Sequence, residues 1–363
     1  MKYWRGYLTA AILFACTWAL ESFAKTHTAL MDMIYPYMTR MVQMFLAGWN
    51  SEVSFCLWQA LVLAAAVAII ATVVLMAIFR WNPVRWFGWV SAIVALVMLL
   101  NTGIFGLNMY AGPLAEDIRL EETEYTVDEL ESAAAYFRDQ ANVLSTQVPR
   151  DSAGAVEYAA FEDLANQASD GFHSLVYDES LAVFAGPMQP VKKLKWSSQY
   201  SRQGITGVTV GLTGEAAVNP DIPQVMLPFA MCQEMAKRMS ILIPKDASFG
   251  AYMACMANED VQFRYSGALM GYRYCLKALE ELDEVTGEGA AARVARQESL
   301  YVRMDILTCD EFFGNRQVAD ADTCDLLTSW HIQEIVLPAL LEDEELFDPL
   351  DKSQVDLSDH PYA

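Results

Sequence analysis

The residues best suited to chemistry lie in Leu227-Pro228-Phe229-Ala230-Met231-Cys232-Gln233-Glu234-Met235-Ala236-Lys237-Arg238-Met239. Read as a helix, this segment sets Glu234 and Lys237 three residues apart on one face. A carboxylate and an ammonium so placed form an ion pair, stand as solvated helix-face charges, or take a catalytic role. Cys232 adds a thiol, but one thiol without partners makes a poor metal site, and a core cysteine is the simpler reading. His27, His173, His331 and His360 are dispersed, and there is no Walker loop, dinucleotide fingerprint or nucleophile elbow. No CxxC or Cys/His cluster marks a structural zinc site. Among the seven cysteines, Cys309 and Cys324 could pair in an exported domain, with buried free thiols as the alternative.

The elements that must position these residues divide the chain sharply. Its 363 residues are 54% hydrophobic and only 19% charged, with net charge −22. That excess of acid excludes a nucleic-acid partner, because a phosphate backbone needs a basic one. In residues 1–110, Lys2, Arg5, Lys25, Arg40, Arg80 and Arg85 face only Glu21, Asp32 and Glu52, so the acid lies in the remainder. The pattern predicts a membrane anchor, 1–110, with transmembrane helices over about 7–24, 57–79 and 87–109, each near the length that crosses a bilayer. A cleavable signal peptide ending at Ser22-Phe23-Ala24 is the competing reading of the first run, opposed by Trp18 and Glu21 close to that site. Lys2 and Arg5 before the first span, and Arg80 and Arg85 between the second and third, predict a cytoplasmic N-terminus and an extracytoplasmic C-terminal domain. Lys25 and Arg40 in the predicted outer loop run against this.

The soluble domain is expected over 111–341. Thr126-Val127-Asp128-Glu129 is a capping box that opens a helix. Helices are also expected over about 155–176, 229–242, 249–256, 263–282 and 290–309. Gly204, Gly207, Gly211 and Gly214 punctuate an apolar stretch that reads as one or two short strands. From 342 to 363 eight acidic residues oppose Lys352 alone, the composition of a solvated, mobile tail.

The three spans resemble those of a bacterial membrane-protein family catalogued as a domain of unknown function. Further shared landmarks are Phe105-Gly106-Leu107-Asn108-Met109-Tyr110, Gly204-Ile205-Thr206-Gly207, Glu215-Ala216-Ala217-Val218-Asn219, the Leu227-Pro228-Phe229 lead-in and Phe263-Arg264-Tyr265-Ser266-Gly267. The resemblance covers nearly the whole chain and implies an outer zinc-metallopeptidase-like domain with an HExxH helix. There, two imidazoles would hold Zn²⁺ and the Glu would polarise its water. In this chain Gln233 and Lys237 stand at the two His positions, Glu234 keeps the general-base position, and Asp246 falls where a third ligand is expected. An ammonium repels a dication, so the resemblance implies a metal site replaced by a Lys237 ion pair to Glu234 and Asp246. Glu215 and Asn219 would line the same cleft from the strand side, with Tyr265 beside it.

The expectation is therefore a mainly α membrane protein: three N-terminal transmembrane helices, then an α-rich (α+β) zincin-like extracytoplasmic domain with a short strand region. Its expected role is that of a catalytically inactive metallopeptidase homologue that binds a peptide or envelope protein, without a cofactor. The competing expectation is an active membrane-bound metallopeptidase or hydrolase with non-standard site residues, which would use zinc. The bilayer is the partner common to both.

Overall fold

The computed structural model describes residues 4–314 and 322–340; the predicted acidic tail lies outside them. The chain is mainly helical. Three of its helices are long and apolar enough to cross a membrane: α1, Arg5–Thr26, α3, Leu57–Phe79, and α4, Pro83–Ile104. These are the apolar runs read from the sequence, although the third begins and ends earlier than expected. Its remainder becomes a 3-10 turn, Gly106–Tyr110, that leads out of the bundle. The chain is a membrane protein.

α1 and α4 pack in parallel through a seam of small residues, including Ala10, Ala92 and Ala95. Their closest approach is at Gly6, where an added Cβ would meet the Gly88 carbonyl carbon at 2.5 Å. Small residues let helix backbones approach in lipid, where water exclusion supplies little force. Gly6→Leu is expected to push α1 from α4 and destabilise the pair by about 1–3 kcal/mol, the range for overpacking a tight contact. Cross-linking of Ala10→Cys to Ala92→Cys should fall in the Gly6→Leu background; an unchanged yield counts against this seam.

The segment between the first two spans is not a loop. α2, Thr28–Asn50, is an amphipathic helix with Pro36 inside it. Leu30, Met33, Tyr37, Met41, Phe45 and Trp49 are exposed along one stripe, while Thr39, Arg40, Gln43 and Asn50 are buried against the C-terminal domain. Thr39 Oγ1 meets Ser240 Oγ at 3.0 Å, Arg40 Nε donates to Met239 O, and Gln43 Nε2 donates to Gly211 O at 2.9 Å. The two basic residues that opposed the predicted topology thus have local partners: Arg40 here, and Lys25 over the Tyr110 ring.

The domain that follows the spans comprises α5, Leu114–Asp117, α6, Val127–Ser145, α7, Phe161–Leu175, α8, Ser197–Arg202, α9, Leu227–Arg238, α10, Pro244–Ala257, α11, Val261–Thr286, α12, Ala290–Ala295, α13, Leu300–Phe313, and α14, Thr323–His331. The Thr126–Glu129 capping box forms as read. The helix expected over 155–176 starts only at Phe161, and the one expected over 290–309 is broken into α12 and α13. Three short strands, β1, Lys192–Lys193, β2, Gly207–Val210, and β3, Glu215–Val218, form a sheet in the order β1-β3-β2. β3 runs parallel to β1 and antiparallel to β2, with Gly207 opposite Val218 and Val210 opposite Glu215. α9 lies under this sheet, enclosed by α7, α10 and α11, so its apolar residues reach the core on nearly every side. All seven cysteines are free, so the Cys309–Cys324 disulfide does not form. Cys324 instead neighbours the Tyr125 hydroxyl and the Asp325 carboxylate.

Candidate functional site

Glu234 is fully buried on α9, facing β2. That approach depends on Gly207, because a Cβ there would sit 2.4 Å from Glu234 Cγ. Lys237 Nζ reaches Glu234 Oε1 at 2.8 Å from the next turn of the same helix. The Thr209 hydroxyl lies 2.7 Å from Oε2 and 2.9 Å from the Glu234 carbonyl oxygen. The carboxylate is thus neutralised on one oxygen and hydrogen-bonded on the other. The Glu234 side chain is 1% exposed and that of Lys237 28%, so the ammonium closes the pair off at its only wet edge. Lys237 also sits in the last turn of α9, where a cation complements the helix dipole.

The other predicted positions are placed as follows. Gln233 Nε2 donates to Ser248 Oγ at 2.7 Å, linking α9 to α10. Asp246 does not join the Glu234–Lys237 pair. Its Oδ2 accepts from the Leu114 backbone N–H at 2.9 Å, and its Oδ1 has no partner. Burial pushes this carboxyl up to about 6, despite the opposing Leu114 N–H. Asn219 Nδ2 donates to Ser201 Oγ and to the Ile205 carbonyl, and its Oδ1 accepts from Asp221 N, which fixes the chain leaving β3. Tyr265 belongs to a separate buried network, in which its hydroxyl donates to Asp305 Oδ2 at 2.5 Å and accepts from Arg150 at 3.3 Å.

Glu215 corrects the cleft expectation most clearly. Its Oε1 and Oε2 accept from the backbone N–H groups of Leu57 and Trp58 at 2.7 and 2.9 Å, so it caps the start of α3. Lys192 Nζ reaches Oε1 at 2.9 Å and also meets Asn50 and Phe55 carbonyls. Burial alone would raise the Glu215 carboxyl. The Lys192 ammonium and the two amides outweigh it and hold the group below the ordinary carboxylate range.

These donors do not fit a zinc ion at α9. The Gln233 amide nitrogen is engaged as a donor, Lys237 is a cation, and Asp246 is elsewhere. Among the described residues the histidines do not converge on Glu234 either: His27 stacks on Phe23, and His331 packs beside Tyr136 and Phe137. Among the described residues, no group of three or more His, Cys, Asp or Glu side chains is arranged to hold a metal. Sequence reasoning missed Thr209, Ser248 and Lys192, which carry no motif. It also missed α2, read as a loop, although the three- and four-residue spacing of Leu30, Met33, Tyr37, Met41 and Phe45 was a signal for it.

No curated protein and no solved structure matches this chain. A family model described as "Protein of unknown function (DUF3810)" matches residues 31–312, most of the chain, from α2 through α13. The protein belongs to that family.

Proposed function

We propose that this protein is a membrane-anchored pseudopeptidase: a zincin-like extracytoplasmic domain that has exchanged its metal for an internal ion pair and works by binding an envelope protein partner. The observation that carries the reading is the Glu234 carboxylate, held by Lys237 and Thr209 and shielded from water. A general base must present a free lone pair within reach of a proton. Each Glu234 oxygen already accepts from Lys237 or Thr209, and at 1% exposure its remaining lone pairs are out of reach of solvent. A protein partner docking on the outside suits such a filled site better than a peptide threaded beside Glu234. The parallel α1–α4 pair gathers Arg5, Arg80 and Arg85 at one end, which supports a cytoplasmic N-terminus and an outer domain on the far side.

The test is metal analysis of the full-length protein purified in neutral detergent without chelator, paired with thermal melts and a peptidase assay. Sub-stoichiometric zinc, a melt unaffected by chelation and no cleavage are the expected results. Stoichiometric zinc with a melt that falls on chelation would overturn the pseudopeptidase reading and restore an active metallopeptidase with other ligands.

A further inference from the structure

A cavity of about 360 Å³ lies away from the Glu234 pair, where the C-terminal end of α2 and the α2–α3 linker meet β1 and Arg238. Its charge is predominantly positive. Lys192, Lys193, Lys195 and Arg238 line it against Glu162 and Glu215. Glu215 is committed to Lys192 and to the start of α3. Glu162 pairs with Lys193 but is 68% exposed, so water competes for that contact. Lys195 and Arg238 have no carboxylate partner among the described residues.

Arg238 is the unusual member. It is 2% exposed, donates to the Pro187 and Gln189 carbonyls, and leaves Nε without a partner. Gln189 Oε1, on the same wall, is also buried and unpaired. Burial pulls the guanidinium down to about 10, yet it remains charged at neutral pH. A buried cation without a counter-ion, with an Nε–H still unpaired, is the mark of a site that an anion completes, while the Gln189 oxygen, an acceptor, calls for a donor such as a headgroup hydroxyl.

The location selects the anion. The linker runs directly into Leu57, the first residue of an uncharged 23-residue span, so the cavity lies at the level where lipid headgroups begin. Phe45 and Trp49, exposed on the last turns of α2, offer apolar surface on the approach to it. Its volume is at the small end for ligand pockets, enough for a headgroup with the acyl chains left outside. We infer that this cavity binds a phosphate group, supplied by the headgroup of an anionic membrane lipid. Guanidinium and ammonium donors converging from the β1 segment and α9 suit a tetrahedral phosphate, whose anionic oxygens accept from both.

The experiment compares melts of the full-length protein in phosphatidylglycerol and in phosphatidylcholine nanodiscs, and in neutral micelles with glycerol phosphate. Wild type is set beside Lys195→Gln and Lys193→Gln/Lys195→Gln, whose side chains hold no buried contact. At about a hundredfold excess over Kd, phosphatidylglycerol should raise the wild-type Tm by about 5 °C over phosphatidylcholine. The double variant should lose most of that rise while melting like wild type in phosphatidylcholine. A variant-sensitive rise with glycerol phosphate alone supports the phosphate site but overturns its lipid source. Equal melts in both lipids with no response to glycerol phosphate, or a rise that survives the double substitution, overturns the site.

Discussion

Glu215→Ala is expected to cause the largest loss of stability, about 3–5 kcal/mol, the range for removing one partner of a buried ion pair. The carboxylate is 1% exposed and binds three groups from two other segments: Leu57 N, Trp58 N and Lys192 Nζ. Its removal leaves the first amides of α3 uncapped and Lys192 without its carboxylate, loosening the joint between a membrane span and the outer sheet. Glu215→Gln retains the shape and one acceptor oxygen, so it should lose less. Thermal melts of the full-length protein in detergent, with α3 accessibility read by labelling at Ser54→Cys, check both. An Ala variant melting within a degree of wild type would contradict the capping role. The pH dependence has a fixed sign. Because the folded carboxyl is held below its unfolded value of about 4.3, its stabilisation is complete above that pH and is lost as pH falls through the folded value.

Lys237→Ala is expected to have the second largest effect, about 2–3 kcal/mol, because it strands a buried carboxylate. The loss is smaller than for Glu215 because the Lys237 side chain is 28% exposed and water reaches the vacated space. Removing the carboxylate as well, in Glu234→Gln/Lys237→Met, should recover a large part of the loss, since apolar and neutral replacements avoid the uncompensated charge. A double-mutant cycle by thermal or denaturant melts measures this coupling. Additive single effects would show that the two side chains are merely solvated neighbours. Strong coupling would fit an ion pair that neutralises the buried Glu234 within α9.

The sequence by itself determined the elements whose driving force is local or one-dimensional. Three long apolar runs, the second without a single charge, are read as spanning helices because lipid offers backbone groups no partner outside the helix itself. The Thr126–Glu129 capping box depends on contacts within four residues, and it formed as read. Glu234 and Lys237, three apart on one helix face, were legible as a possible pair, and burial of Glu234 decided between that and solvated charges.

What joins distant segments was decided only by tertiary structure. Asp246 leaves the Glu234 pair because α10 begins beside Leu114. Tyr265 turns to Arg150 and Asp305, 115 and 40 residues away. Glu215 serves Leu57, 158 residues earlier in the chain, because β3 begins against the start of a span. A carboxylate in a sequence states only that it needs donors. Which N–H groups or ammonium supply them depends on where the backbone brings unsatisfied partners, and that is a property of the packed chain.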